Sequence, residues 1–210
     1  TTTPSTQSQV EFAHMLVEDL KAVGLRDIYY NESNGFVLAT LPANTEAETP
    51  SIGFIAHMDT ADYNAENITP RIVENYDGSD ICLNKAEQIY THAENFPHLK
   101  NYIGKDLIVT DGLTLLGGDD KAGICEIIEA FTYLLAHPEI KHGTLMCAFG
   151  PDEEIGIGAD KFDVSKFPVD YAYTIDGESL GQLEYETFNA ASGTVMLKGV
   201  SFILAQQKIS

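Results

Sequence analysis

The sequence predicts an α/β fold, a mixed and mostly parallel sheet that is covered on both faces by helices. One observation behind this prediction is a set of short, continuously apolar segments of strand length, such as residues 51–57 and 144–149. A second is a pair of longer segments, residues 5–22 and 121–136, whose apolar side chains recur at helical spacing. Strands that alternate with helices are typical of α/β sheets.

The N-terminal segment predicts a helix followed by a β-hairpin. A cap at residues 5–6 and Gly24 bound the helix, which ends near residue 22. Strands are expected at residues 28–30 and 36–41, joined by a Ser-Asn-Gly turn at residues 33–35. The helix has one apolar stripe, made by Phe12, Leu16, Leu20 and Val23.

For residues 51–110 the sequence predicts strands, some of them very short, and loops. Residues 51–57 form a continuously apolar strand of the type found inside a covered sheet. Shorter strands are expected at residues 68–73, 81–83 and 107–110, and a loop contains Pro97.

The later part of the chain predicts one long helix and a series of strands. Buried strands are expected at residues 144–149 and 171–175, and late strands at residues 183–187 and 192–198. The helix, residues 121–136, has an apolar repeat made by Ile124, Ile127, Ile128, Phe131, Leu134 and Leu135.

Composition argues against several classes of function. The chain has 210 residues and a formal net charge of −20, a surface that repels phosphate backbones and anionic lipid. We therefore expect no nucleic-acid and no membrane partner. The cysteines form no CxxC pair, and Cys125 and Cys147 lie in apolar runs that predict buried thiols. With no apolar run of about 18 residues, these features favour a reducing, cytoplasmic location.

Four segments place acids or a histidine directly after an apolar strand or turn. The carboxyl ends of strands in an open α/β sheet meet at one crevice, where ligands bind. Carboxylates gathered there repel one another, and Lys121, the only nearby lysine in these motifs, cannot balance them. One or more divalent ions can, and one histidine with carboxylates suits Zn²⁺, Mn²⁺ or Co²⁺. The residues are His57, Asp59, Asp119, Asp120, Glu153, Glu154 and Asp176.

Each of these motifs taken alone also has a plain structural interpretation. His57 and Asp59 can be a capped strand end with a hydrogen-bonded histidine. The acids before Lys121 can simply stabilise a helix N-terminus. The joint pattern is what favours a metal centre.

Four long motifs resemble the peptidase T family of tripeptide aminopeptidases, which belong to the co-catalytic-zinc exopeptidases. The motifs are AHMDTAD, TLLGGDDKAGICEI, GPDEEIGIGADKFD and YTIDGESLGQLEYETFNAAS. The resemblance runs from about residue 3 to about residue 199. It implies a zinc-exopeptidase-like catalytic domain and a metal-dependent enzyme that removes the N-terminal residue from tripeptides.

The resemblance also implies a set of metal ligands. His57 and Asp176 match the ligands of one zinc, Asp119 the carboxylate that bridges two zincs, and Glu154 a ligand of the second. The implied cofactors are two Zn²⁺ per full-length subunit, with Mn²⁺ or Co²⁺ as alternatives. A cis peptide bond is implied between Asp119 and Asp120.

Two further residues acquire catalytic roles from the resemblance. Asp59 matches the acid that orients the histidine ligand. Glu153 matches the general base, which takes a proton from a metal-activated water and passes it to the leaving amine.

The resemblance assigns residues 1–189 to an incomplete catalytic domain and residues 190–210 to the start of a small α+β lid domain. A second-zinc histidine is expected outside this chain, so we expect the chain to be inactive or severely impaired and to self-associate through an uncovered sheet edge. Residues 201–210 depart from the family pattern. A one-nucleotide shift in suitable codons would give the usual His-Pro-Gly-Thr-Ala-Lys segment, so an out-of-frame tail is expected. The alternative is an ordinary strand at residues 200–204.

Two other functions are compatible with the metal motifs. A related metal-dependent dipeptidase or deacylase would share them, although TPRIVENY and ETFNAAS favour the tripeptidase. A non-catalytic metal-binding fragment is the alternative from another class. Tripeptide turnover separates the enzyme from the fragment.

Overall fold

The computed structural model describes residues 2–177, 180–186 and 193–196. The chain divides into two compact units, Thr1–Gly177 and Glu178–Ser210. Residues 183–186 and 193–196 form no strand, so the late strands are wrong for these residues. The domain boundary expected after residue 189 and the tail at 201–210 fall outside the described residues.

The first unit is built around a five-stranded mixed sheet in the order β1-β2-β8-β3-β9. The β1–β2 and β2–β8 pairs are antiparallel, and the β8–β3 and β3–β9 pairs are parallel. The sheet is therefore mixed, as predicted, but the described strands form parallel and antiparallel pairs in equal number, so it is not mostly parallel. The strands are β1 (Arg26–Tyr30), β2 (Val37–Leu41), β3 (Ile52–His57), β4 (Arg71–Val73), β5 (Ile81–Asn84), β6 (Ile89–Thr91), β7 (Leu107–Val109), β8 (Leu145–Gly150) and β9 (Tyr171–Thr174).

Two α-helices, α1 (Gln7–Val23) and α2 (Gly118–Ala136), have the predicted positions. Helix α1 ends at Gly24, whose φ of 97° lies in the left-handed region that glycine adopts without steric cost. In α2 the first acids, Asp119 and Asp120, have non-helical dihedral angles. The regular helix therefore begins after them, as the apolar repeat predicts.

Both α-helices pack on the same face of the sheet. Apolar side chains of α1 and α2, including Leu20 and Phe131, share one buried cluster with residues of the central strands, including Val37, Ala56 and Cys147. This cluster is the main core. It fixes α2 against β3, so that the start of α2 lies beside the end of that strand.

The other face of the sheet is also covered, as predicted, although the described residues place no α-helix there. Phe162, Phe167 and Val169 pack there against Met146 and Ala148. These covering residues belong to the connection between β8 and β9, which contains two short 3₁₀ helices. Two glycines and two prolines in this connection disfavour a continuous helix.

Between β3 and α2 the chain forms two small antiparallel sheets, β4 with β7 and β5 with β6. Strand β6 was not predicted, because its apolar run is very short. A 3₁₀ helix, Pro97–Tyr102, replaces the expected loop around Pro97.

Two burial predictions are wrong. Strand β9 was expected to be buried, but all of its residues are exposed because it lies at the edge of the sheet. Cys125 was expected to be buried, but it lies on the solvent side of α2. Cys147 is buried as predicted, and burial raises the pKa of its thiol to about 12. Among the described residues, no helix combines the length and the apolar character that crossing a membrane requires.

Candidate metal centre

The carboxyl ends of the parallel strands bring the predicted site residues together. His57 is the last residue of β3 and pairs in register with Gly150, the last residue of β8. Glu153 follows β8 and Asp176 follows β9, so both lie at the same edge of the sheet. Asp119 reaches this edge from the start of α2. This is the crevice that α/β sheets use for ligands.

His57 lies at the centre of the group. Its Nε2 atom is 2.8 Å from Asp119 Oδ1, 3.7 Å from Asp176 Oδ2 and 3.8 Å from Glu153 Oε2. One donor atom from each of His57, Asp119 and Asp176 lies within 4.8 Å of the other two. One imidazole nitrogen with two carboxylate oxygens is a donor set that fits a divalent ion such as Zn²⁺.

Glu154, the fourth predicted ligand, does not join this group of three. Its side chain lines a neighbouring cavity of about 610 Å³, together with Asp59, Lys121 and residues at the start of α1. The structure therefore separates the two adjacent glutamates: Glu153 faces His57, and Glu154 lines the cavity.

Asp59 connects His57 with the glutamates. His57 Nδ1 is 3.1 Å from the main-chain oxygen of Asp59 and 3.4 Å from its carboxylate. The two carboxylate oxygens accept the backbone N–H groups of Glu153 and Glu154, each at 3.0 Å. An acceptor at Nδ1 leaves Nε2 to face Asp119 and Asp176, which suits the orienting role expected for Asp59.

Asp120 connects two segments of the site through hydrogen bonds, a role that the sequence did not reveal. Its buried carboxylate accepts the backbone N–H of His57 at 3.0 Å and that of Gly123 at 3.2 Å. It thereby ties the end of β3 to the first turn of α2. The peptide bond between Asp119 and Asp120 is cis, as the resemblance implied. Two adjacent acids before a helix gave no signal of which one points inward.

The surrounding acids change the protonation of His57 and Glu153. Burial by itself lowers the pKa of His57, but hydrogen bonds and charges of Asp59, Asp120 and Asp119 outweigh it and raise this pKa to about 9. Burial raises the pKa of Asp120 to about 6. Partial burial, followed by the charge of Asp176 among others, also raises the pKa of Glu153, although more than half of its side chain is exposed. A higher pKa makes Glu153 a stronger base.

Lys121 does not neutralise this acidic group. Its ammonium group donates to the main-chain oxygen of Met58 at 2.9 Å and lies 5.5 Å from the centre of the Phe12 ring. Burial lowers the pKa of this lysine. In the described part of the chain it forms no ion pair with the carboxylates.

Comparisons with known proteins show relatives of this chain in sequence and in fold. No protein-family model matches the chain. Peptidase T of Enterococcus faecalis is 61% identical over 200 residues, which are 95% of this chain and 49% of that protein. Peptidase T of Fusobacterium nucleatum is 62% identical over 200 residues, covering 95% of this chain and 48% of that protein. This chain is a relative of peptidase T over 95% of its length. It spans about half the length of the curated relatives that it matches.

Solved structures extend the comparison to the fold of this chain. The aminopeptidase PepT from Bacillus cereus matches with a TM-score of 0.61 and 26% identity, over 81% of this chain and 39% of that one. A tripeptidase from Staphylococcus aureus matches with a TM-score of 0.57 and 25% identity, over 79% of this chain and 37% of that one. The α/β architecture of this chain is therefore similar to part of these two solved peptidases.

Proposed function

We propose that this chain is part of a metal-dependent aminopeptidase that removes the N-terminal residue from tripeptides. The observation that carries the proposal is the convergence of His57, Asp119 and Asp176 at the strand ends, with Glu153 at 3.8 Å from His57 Nε2. The identity of 55–62% to peptidase T sequences supports the reaction and the substrate class.

Two Zn²⁺ ions are the proposed cofactors. His57, Asp119 and Asp176 would hold one ion, and Asp119 with Glu154 would contribute to a second. The donor atoms fit this assignment, because one imidazole and several carboxylates suit zinc better than an all-oxygen set would. When bound, the ions would polarise the scissile carbonyl group and lower the pKa of the attacking water.

The residues of the chain would then move the proton. Glu153 accepts the proton of the attacking water at its carboxylate and delivers it to the amine of the leaving dipeptide. Its raised pKa favours the first of these transfers. Asp59 keeps the loop of residues 152–154, here called the glutamate loop, in place by accepting the backbone N–H groups of Glu153 and Glu154. It also directs His57 through contacts with Nδ1.

For the 210-residue chain by itself, we propose one bound Zn²⁺ and little or no peptidase activity. Among the described residues, His57, Asp119 and Asp176 would supply three ligands to one ion. The second ion would have only Asp119 and Glu154 from this part of the chain. A two-metal mechanism needs both ions at the water and the carbonyl group.

The experiment is a titration of the purified 210-residue chain with Zn²⁺ by calorimetry, next to assays with a tripeptide and its N-acetylated form. We expect one Zn²⁺ per chain and loss of this binding in His57→Ala. His92→Ala is the matched control, since His92 is an exposed histidine paired with Asp80. A wild-type chain that binds no Zn²⁺ would contradict the metal centre. Efficient turnover of the tripeptide would contradict the need for a complete second site.

Two lesser proposals concern location and association. We propose a cytoplasmic location, which is supported by cysteines that are all free in the structure. The charge of −20 repels nucleic acid and anionic membranes, so we propose neither as a partner. Self-association through an exposed sheet edge is supported by the position of β9, and its test follows in the Discussion.

A further inference from the structure

Three successive peptide groups of the glutamate loop are each held by a side-chain oxygen. The N–H of Asp152 donates to Gln9 Oε1 at 3.0 Å. The N–H groups of Glu153 and Glu154 donate to the two oxygens of Asp59, each at 3.0 Å. The loop is thus fixed from two sides, by Asp59 after β3 and by Gln9 in the first turn of α1.

Gln9 and Asp152 form a buried, reciprocal pair. Besides accepting the N–H of Asp152, Gln9 donates from Nε2 to Asp152 Oδ1 at 2.9 Å. The backbone N–H of Ser5 donates to the same oxygen at 3.1 Å. Gln9 is 7% exposed and Asp152 1%, so water competes little with these hydrogen bonds.

The conformation of Asp152 carries two local costs. Its φ of 62° lies in the left-handed region, which non-glycine residues rarely adopt. Its second carboxylate oxygen, Oδ2, is buried and has no hydrogen-bond partner among the described residues. A glycine would remove both costs. What a glycine cannot supply is Oδ1, the acceptor for Gln9 and Ser5.

We propose that Gln9 and Asp152 are positioning residues that set the direction of the Glu153–Glu154 loop from outside the metal centre. The inference rests on the proposed roles of Glu153 and Glu154. The side chain of Glu153 is 57% exposed, so packing does little to hold it. The backbone of the loop must therefore determine where the two carboxylates point. Gln9 supplies the part of that support that Asp59 does not.

The test uses Gln9→Glu, which keeps the shape of the side chain but turns the donor toward Asp152 Oδ1 into an acceptor. Two carboxylates would then face each other in a buried place. Their repulsion should open the hydrogen-bonded pair of Gln9 and Asp152, which acts as a clamp on the loop. We expect the amide hydrogens of Glu153 and Glu154 to exchange about tenfold faster, because a local opening is enough to expose them. Amides in the core of β8, such as that of Cys147, should keep their rates. Zn²⁺ binding through His57, Asp119 and Asp176 should change little, because neither glutamate is a proposed ligand of that ion.

Two further variants separate positioning from general destabilisation. Asp152→Asn keeps an acceptor oxygen for Gln9 and Ser5, and asparagine tolerates the left-handed region, so slow exchange should be retained. Leu16→Ala truncates a buried residue of the same helix without touching the clamp, and it should leave the two amides slow relative to the core.

The outcomes also separate this inference from the proposed function. Unchanged exchange in Gln9→Glu, or the same local effect in Leu16→Ala, would overturn the clamp even if Zn²⁺ binds. If the wild-type chain binds no Zn²⁺, the metal centre fails. The exchange rates, which need no metal, still decide whether Gln9 and Asp152 hold the loop.

Discussion

At the residue scale, Glu153 and Glu154 are neighbours in sequence with different surroundings. Glu153 Oε2 lies 3.8 Å from His57 Nε2, whereas Glu154 lines the cavity beside Lys121. The carboxylate of Glu153, near the histidine, can serve as a base. The carboxylate of Glu154 can serve as a ligand of a second ion. The pair therefore offers a sharp comparison between two otherwise identical substitutions.

In a full-length peptidase T that carries this sequence, we predict that Glu153→Ala lowers kcat by about 10²–10⁴-fold, the usual scale of general-base catalysis. Its metal content should stay close to that of the unmodified enzyme, because Glu153 is a base and not a ligand. Glu154→Ala should instead lower the metal content. Elemental analysis of both purified variants, with kcat measured on a tripeptide, makes the comparison. Metal loss in Glu153→Ala with retention in Glu154→Ala would reverse the assignment.

The residues of the site divide into those that the sequence predicts and those that it does not. His57 and Asp176 follow apolar strands, so the rule about strand ends placed them correctly beside each other. Asp120, Gln9 and Asp152 act through backbone groups of distant segments. No local pattern records such contacts, because they arise only when α1 and α2 pack on the sheet.

At the element scale, the start of α2 approaches the end of β9 with no room for a side chain at Gly123. A Cβ atom there would collide with the main-chain oxygen of Ile175 and with Asp120 Oδ1. Ile175 is held in turn by a hydrogen bond of 2.8 Å from its N–H to Ile55 O. Because Gly123 has no side chain, Asp120 and Asp176 can lie close together at one edge of the sheet.

We predict that Gly123→Ala lowers the Zn²⁺ affinity of the chain about tenfold and destabilises the fold by about 1–3 kcal/mol, the usual cost of overpacking. The backbone at Ile175 cannot yield cheaply, so Asp176 must move relative to His57. Calorimetric titration and thermal unfolding measure the two effects. Gly118→Ala is the matched control, since a Cβ there meets its nearest atom at 3.9 Å. Equal effects of both substitutions would count against a specific contact at Gly123.

Elements with strong local signals were predictable, and those defined by distant packing were not. The apolar stripe and Gly24 gave α1 almost to the residue, and the apolar repeat gave α2. The length and hydrophobicity of residues 171–175 could not distinguish a central strand from an edge strand. The position of β9 at the edge depends on the order of the strands. That order cannot be inferred from the apolar run itself.

At the scale of the whole molecule, the exposed edge of β9 is the feature most open to association. Among the described residues, no strand pairs with the outer side of β9. The N–H groups of Tyr171 and Ile175 bond to the strand β3 segment, through Ser51 and Ile55. Because successive residues of a strand alternate in direction, the N–H of Ala172 points outward. An open edge with exposed aromatic residues favours pairing with another chain.

We predict that the 210-residue chain forms dimers as its concentration rises, by pairing β9 of one copy with β9 of another. Ala172→Pro should keep the chain monomeric, because proline removes an outward N–H and leaves the bonds to β3 intact. Ala172→Val retains this N–H and is the matched control. Sedimentation equilibrium over a range of concentrations measures the mass. A monomeric wild type at every concentration, or dimers that persist in Ala172→Pro, would show that this edge does not mediate association. The charge of −20 opposes close approach of two copies, so added salt should strengthen any true edge pairing.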